Sequence, residues 1–204
     1  MRFLFLIPAL ALLSGCGEKW GSAAPYRPES EAPIPVAMPA NAPFIGQQFL
    51  ATDQSRDVAG HLGIDFWSDH GTPIIATAPG RVVRVFFDPA YGRRITVDHG
   101  TDENGHRVLS QYFHLSEFEV EVGDVVKRGE PIGKMGASGF LAGFVHLHFE
   151  ILRGETRSKA RGEDPNLFWA NGIGRVTCFD PQTSYPDDRF VTVVPLGCRG
   201  GKPF

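Results

Sequence analysis

The sequence predicts a mostly β protein: a twisted antiparallel sheet followed by a loop-rich C-terminal extension. Three observations predict it. Short runs rich in branched and aromatic residues recur at 73–78, 81–87, 94–99, 108–114, 119–122, 132–135 and 145–152. Turn chemistry separates them at Pro79-Gly80, Tyr91-Gly92, 100–105, Gly123-Asp124 and 138–143. No segment carries a long helical period, and 24 glycines with 16 prolines favour turns over helices. At 204 residues and 42% hydrophobic, the chain can bury a core of one catalytic-size domain. A net charge of −3 makes no case for nucleic-acid binding.

Taken in order, the chain starts with Arg2 and an apolar run over residues 3–13. The run is too short to span a bilayer and reads as the apolar part of a signal peptide over residues 1–15. It ends in Leu13-Ser14-Gly15-Cys16, which resembles the bacterial lipoprotein cleavage box, in which the cysteine is lipidated. Gly17 follows, a pattern similar to that of lipoproteins sent to the outer membrane of diderm bacteria. That resemblance implies a lipid-anchored protein facing the periplasm, held firmly because each buried methylene is worth about 0.8 kcal/mol.

Residues 16–43 then carry six prolines among alanines, with no apolar period, and read as a tether. About 27 residues at roughly 3.1 Å each reach on the order of 80 Å. The globular part is expected over 44–170. Residues 153–163 read as a charged, solvated loop. In the extension, residues 171–204, Cys178 and Cys198 remain once Cys16 is committed to lipid. An even pair in an exported chain reads as a disulfide, and closing a loop of about twenty residues is worth roughly 3 kcal/mol.

The chemistry centres on Val145-His146-Leu147-His148-Phe149-Glu150-Ile151. Polar and apolar side chains alternate, so His146, His148 and Glu150 share one strand face while Leu147, Phe149 and Ile151 face a core. A second cluster is His61-Leu62-Gly63-Ile64-Asp65. Fully extended, its His and Asp Cα atoms would stand about 13 Å apart, too far for bonds of about 2 Å to one metal. A shared metal therefore requires a bend, which costs least at Gly63. With His148 these two make a three-ligand set with one open position, the arrangement of a catalytic zinc site. A non-haem iron triad uses the same ligand types. His114 and His146 are left as free imidazoles for base and electrostatic work. His70, His99 and His106 sit beside Gly or Asp and read as turn or surface residues. Glu150 is placed for an outer contact to the ligands.

Several pieces occur in one order: His61-x-Gly-Ile-Asp65, Gly71-Thr-Pro-Ile-Ile-Ala76, Gly80-Arg-Val82, Val97-Asp-His-Gly100, Tyr112-x-His114-Leu-Ser116, Gly123-Asp-x-Val-x-x-Gly129 and His146-Leu-His-Phe-Glu150. Together they resemble the lysostaphin-like (LytM-type) zinc peptidoglycan endopeptidases over about residues 44–152, with a weaker echo at Asp164-Pro165. The resemblance implies a long substrate groove (a lysostaphin-like, barrel-sandwich-hybrid-like fold) with one Zn²⁺ on its floor. It implies His61, Asp65 and His148 as zinc ligands, His114 and His146 as the catalytic pair, and peptidoglycan stem peptides as substrate. The loop over 138–145, more apolar and one residue longer than the family's usual form, is expected to wall the groove. The extension is expected to cover part of it. A cell-wall amidase partner belongs to the alternative reading, a non-enzymatic activator on the same fold. A third reading, a lipoyl-type carrier hairpin at residues 123–129, lacks the expected flanks around Lys134.

Overall fold

The computed structural model describes residues 33–49 and 60–200. The signal segment, Cys16 and most of the tether lie outside the described residues. Eleven strands follow in order: β1 (Phe44–Gln47), β2 (Ile64–Trp67), β3 (Pro73–Ile75), β4 (Gly80–Asp88), β5 (Gly92–Thr101), β6 (Arg107–Leu115), β7 (Glu117–Phe118), β8 (Val125–Val126), β9 (Pro131–Lys134), β10 (Leu147–Gly154) and β11 (Arg161–Glu163). The large sheet runs β1-β2-β10-β6-β5-β4-β8, with β11 paired to β10; a small sheet runs β3-β9-β7. All of these pairings are antiparallel. Among the described residues there is no α-helix.

Alternation builds the core. On β10, Leu147, Phe149 and Ile151 are fully buried while His148 and Glu150 between them stay partly exposed. Ile64 and Phe66 of β2 and Tyr112 of β6 join the same apolar layer, which also takes Ile74, Ile132 and Met135 from the small-sheet side. Each such side chain contributes about 1.5–3 kcal/mol on burial.

Several expectations are corrected. Residues 119–122 are not a strand. β7 ends at Phe118, and the Glu121 N–H donates to the Asp124 carboxylate at 2.8 Å, so a turn forms before β8. The charged stretch 153–163 is not all loop, because β11 pairs with β10 from Ile151 to Arg153. His99 is not a turn residue. It lies in β5 with Nδ1 2.7 Å from the Pro79 carbonyl and Nε2 2.8 Å from Ser110 Oγ. Burial holds its pKa down at about 4.

The ends are packed further in than the sequence indicated. Val36 and Ala42, in the expected tether, are buried, and Ala37 bridges Arg175. The extension does not cover the groove: Leu196 bridges Ile74, and the Val193 N–H donates to the Thr77 carbonyl at 3.1 Å. Phe190 packs on His99 at 5.1 Å, at the opposite end of β5 from Arg93. Val176, Val194 and Leu196 complete the common core.

Cys178 and Cys198 form a disulfide across 20 residues. Because the tail it closes is part of the core, the Cys198→Ser variant is expected to lose roughly 3 kcal/mol. Urea unfolding under non-reducing conditions measures this; an unchanged midpoint would show that the tail is held by packing alone.

Candidate metal centre

The cluster is assembled by the pairing of β2 with β10, in which His148 stands directly opposite Asp65. His61 lies just before β2, and the chain bends at Gly63. Gly63 is required there: an added Cβ would stand 2.3 Å from the Phe149 carbonyl oxygen and 3.0 Å from His148 Cε1. The close approach of the two backbones is what lets His61 fold back over Asp65.

His61 Nε2 lies 3.0 Å from Asp65 Oδ1 and 2.9 Å from His148 Nδ1, and His148 Nδ1 lies 2.9 Å from Asp65 Oδ1. The other ring nitrogens fix what these atoms present. His61 Nδ1 donates to the Gln48 backbone carbonyl at 2.8 Å, and a carbonyl can only accept. His148 Nε2 donates to Glu150 Oε1 at 3.0 Å. With an ion bound, the two ring nitrogens would therefore aim lone pairs at one point that a carboxylate oxygen also faces. Three acceptors so close repel one another unless a cation stands between them. Zinc ligands at tetrahedral angles are about 3.3 Å apart, so the donors need to separate by only a few tenths of an ångström. The residues present thus fit a divalent ion of the zinc class, and among the described residues this is the group able to hold one.

Electrostatics agrees. Burial alone would raise the Asp65 carboxyl, but hydrogen bonds from His148 and His61 outweigh it and hold the group well below the usual carboxylate range. Burial would lower His148, but its bonds to Asp65 and Glu150 push it up to about 9. Without a metal, a proton is the cation that fills the centre.

His114 and His146 stand beside the cluster, their ring centroids 4.7 Å apart. His146 Nε2 is 3.9 Å from Asp65 Oδ1. His114 Nδ1 donates to the Ser138 carbonyl and His146 Nδ1 to the Phe144 carbonyl, both at 3.0 Å. Each ring therefore presents Nε2 as an acceptor. Burial is the main cause that lowers both, His114 to about 4, so both are neutral at pH 7. Among the described residues, His114 alone apart from glycines has a positive φ, 61°. It sits where the β5–β6 register slips between Arg93 and Ile95, a bulge that re-aims its side chain.

The sequence did not reveal the groups that orient these rings. Gln48 holds His61 by its backbone, and its side-chain Oε1 accepts from Asn166 Nδ2 at 2.8 Å. Asn166 follows Asp164-Pro165, so that short turn steadies the first ligand. The carbonyls of Ser138 and Phe144 do the same for the histidine pair. All three acceptors on the rings are main-chain carbonyls, which carry no residue signature. The loop over 138–145 is tied to the β4–β5 turn by Phe140 N–H to the Pro89 carbonyl and Leu141 N–H to the Ala90 carbonyl. An open cleft of about 710 Å³, lined in part by Arg93, Lys134 and Ser138, adjoins it.

Residues 59–160 match the profile of Peptidase family M23. The peptidoglycan DD-endopeptidase ShyB of Vibrio cholerae is 37% identical over 95 residues, 47% of this chain and 21% of that protein. Lysostaphin of Staphylococcus staphylolyticus is 31% identical over 138 residues, 65% of this chain and 28% of that protein. The chain thus spans about a quarter of the length of these curated relatives. The solved structure of LytU matches with a TM-score of 0.52 and 33% identity, over 61% of this chain and 83% of that one.

Proposed function

The chain belongs to peptidase family M23, and from that premise we propose that it is a zinc-dependent endopeptidase that hydrolyses peptide crosslinks of bacterial peptidoglycan. The observation that carries the reading is the convergence of two lone-pair imidazole nitrogens and one carboxylate oxygen beside two further neutral histidines. The relatives' names point to the same polymer.

His61 Nε2, Asp65 Oδ1 and His148 Nδ1 would hold the ion. When bound, zinc lowers the pKa of a water molecule and polarises a carbonyl. The remaining work falls to this chain's own groups. One of His114 and His146 accepts the proton of the attacking water at Nε2; the imidazolium so formed steadies the developing oxyanion and passes that proton to the leaving amine, while the other ring helps to position the water. Glu150 keeps the His148 Nδ1 lone pair inward by accepting at Nε2.

Digestion of purified peptidoglycan by the zinc-loaded protein, read by mass spectrometry, tests the reading. Uncrosslinked muropeptides are expected. No products, together with stimulation of an added amidase, would favour the activator instead. Anchoring through Cys16 at the outer membrane belongs to the same proposal and predicts acyl mass on that residue.

The pH profile follows from His114. Burial holds it at about 4, so it loses its acceptor role only as pH falls towards that value. Because burial lowers both rings, turnover per bound zinc is expected to fall on acidification only below the range of a free imidazole at about 6.5. Zinc content measured along the profile separates this from displacement of the metal by protons.

A further inference from the structure

Trp67 has no part in the metal cluster or the histidine pair, yet it lies on the same sheet face as Asp65 and is linked to His146 through Phe144. It stands two positions after Asp65 in β2, on the same face because strand side chains alternate; Phe66 between them points into the core and is fully buried. Trp67 keeps 38% of its surface exposed.

Its place is built. The indole lies against Gly46, where an added Cβ would stand 2.0 Å from Cε2, so the ring fits only because position 46 has no side chain. Phe44 lies beside it at 4.9 Å and Phe144 meets it edge-on at 5.1 Å. Phe144 touches the His146 ring at 4.7 Å. Ring contacts thus run unbroken from Phe44 through Trp67 and Phe144 to His146. Phe144 and Leu62 are themselves half exposed, at 50% and 53%. Apolar side chains left facing water beside a reactive centre mark a surface that a ligand covers.

Distance says which part of the ligand. Two strand residues span about 7 Å, and an extended peptide advances about 3.3–3.6 Å per residue. A peptide whose reacting bond lies at the Asp65–His148 centre therefore reaches Trp67 with the second residue of one arm. The glycan strand stands off by the length of the stem peptide. Phe44, Trp67 and Phe144 carry no charge, so the surface suits saturated carbon.

We infer that Trp67 and Phe144, backed by Phe44, form a substrate subsite for the uncharged aliphatic portion of one peptide arm of the crosslink. The inference rests on the endopeptidase reading above.

The test uses the full-length, zinc-loaded protein and a glycan-free, crosslinked stem-peptide dimer. Trp67→Ala and Phe144→Ala are each expected to raise KM roughly 10–100-fold, from the apolar area no longer covered, with kcat nearly unchanged. Zinc content should stay at the wild-type level, and Trp67→Phe should recover most of the loss. Should Trp67→Ala not fold, Phe144→Ala, on an exposed loop, carries the same expectation. An unchanged KM on the dimer overturns the inference, including the case where only cleavage of intact sacculi weakens, which would assign the surface to glycan. If the wild type cuts neither substrate, the endopeptidase reading fails and tryptophan emission decides the subsite. A shift on adding the dimer that is absent in Trp67→Phe supports it, and no shift overturns it. Trp169 is 1% exposed and should be silent.

Discussion

The His148→Ala variant is expected to bind no zinc and to lose all measurable hydrolysis. His148 Nδ1 is one corner of a triangle with edges of 2.9, 2.9 and 3.0 Å. Removing it leaves two donors and opens a path for water into the centre, and a catalytic zinc site needs three protein ligands. The loss is also readable without activity. Saturation at a thousandfold over Kd stabilises the folded state by about 4 kcal/mol, which for a chain of this size raises Tm by roughly 8–16 °C. Zinc should raise the melting temperature of the wild type by that order and leave His148→Ala unmoved. Full zinc content in the variant would mean that the ion is held elsewhere. Asp65→Asn should behave alike, since the amide keeps the shape but loses the charge.

The second large effect separates chemistry from metal binding. His146→Ala and His114→Ala are expected to keep zinc and the fold while losing about 10²–10⁴-fold in turnover, the usual worth of a general acid or base. Their Nδ1 atoms are committed to main-chain carbonyls, so neither ring is needed to complete the ligand triangle. The double variant should lose little more than the worse single one, because both groups act on one transition state. Release of uncrosslinked muropeptides, measured with zinc content and melting, decides the matter. Full turnover in His146→Ala would end the mechanism. For His114 a structural share is also expected: its φ of 61° costs less without a large side chain only if the replacement is glycine, so His114→Gly is the better probe of stability.

By itself the sequence determined what alternation and exclusion can determine. The period of two over residues 145–151 sorted His148 and Glu150 from Leu147, Phe149 and Ile151 before any coordinates, because successive side chains on a strand point to opposite faces. The demand for a bend at Gly63 followed from chain geometry alone. The cysteine pairing was read from the expectation that Cys16 carries lipid, and Cys178 and Cys198 are bridged. β2 went unread as a strand: four residues are too short to show a period, and its partners lie about twenty and eighty residues away in β1 and β10. What only the tertiary structure decided depends on main-chain groups, which are alike in every residue. The carbonyls of Gln48, Ser138 and Phe144 choose the tautomers of three histidines, and the bulge in β6 turns His114 towards its partner. The apolar tail could have packed on either side of the sheet by composition. It joins the core along β3 because that edge had an open strand to bridge at Ile74, and so it leaves the groove clear.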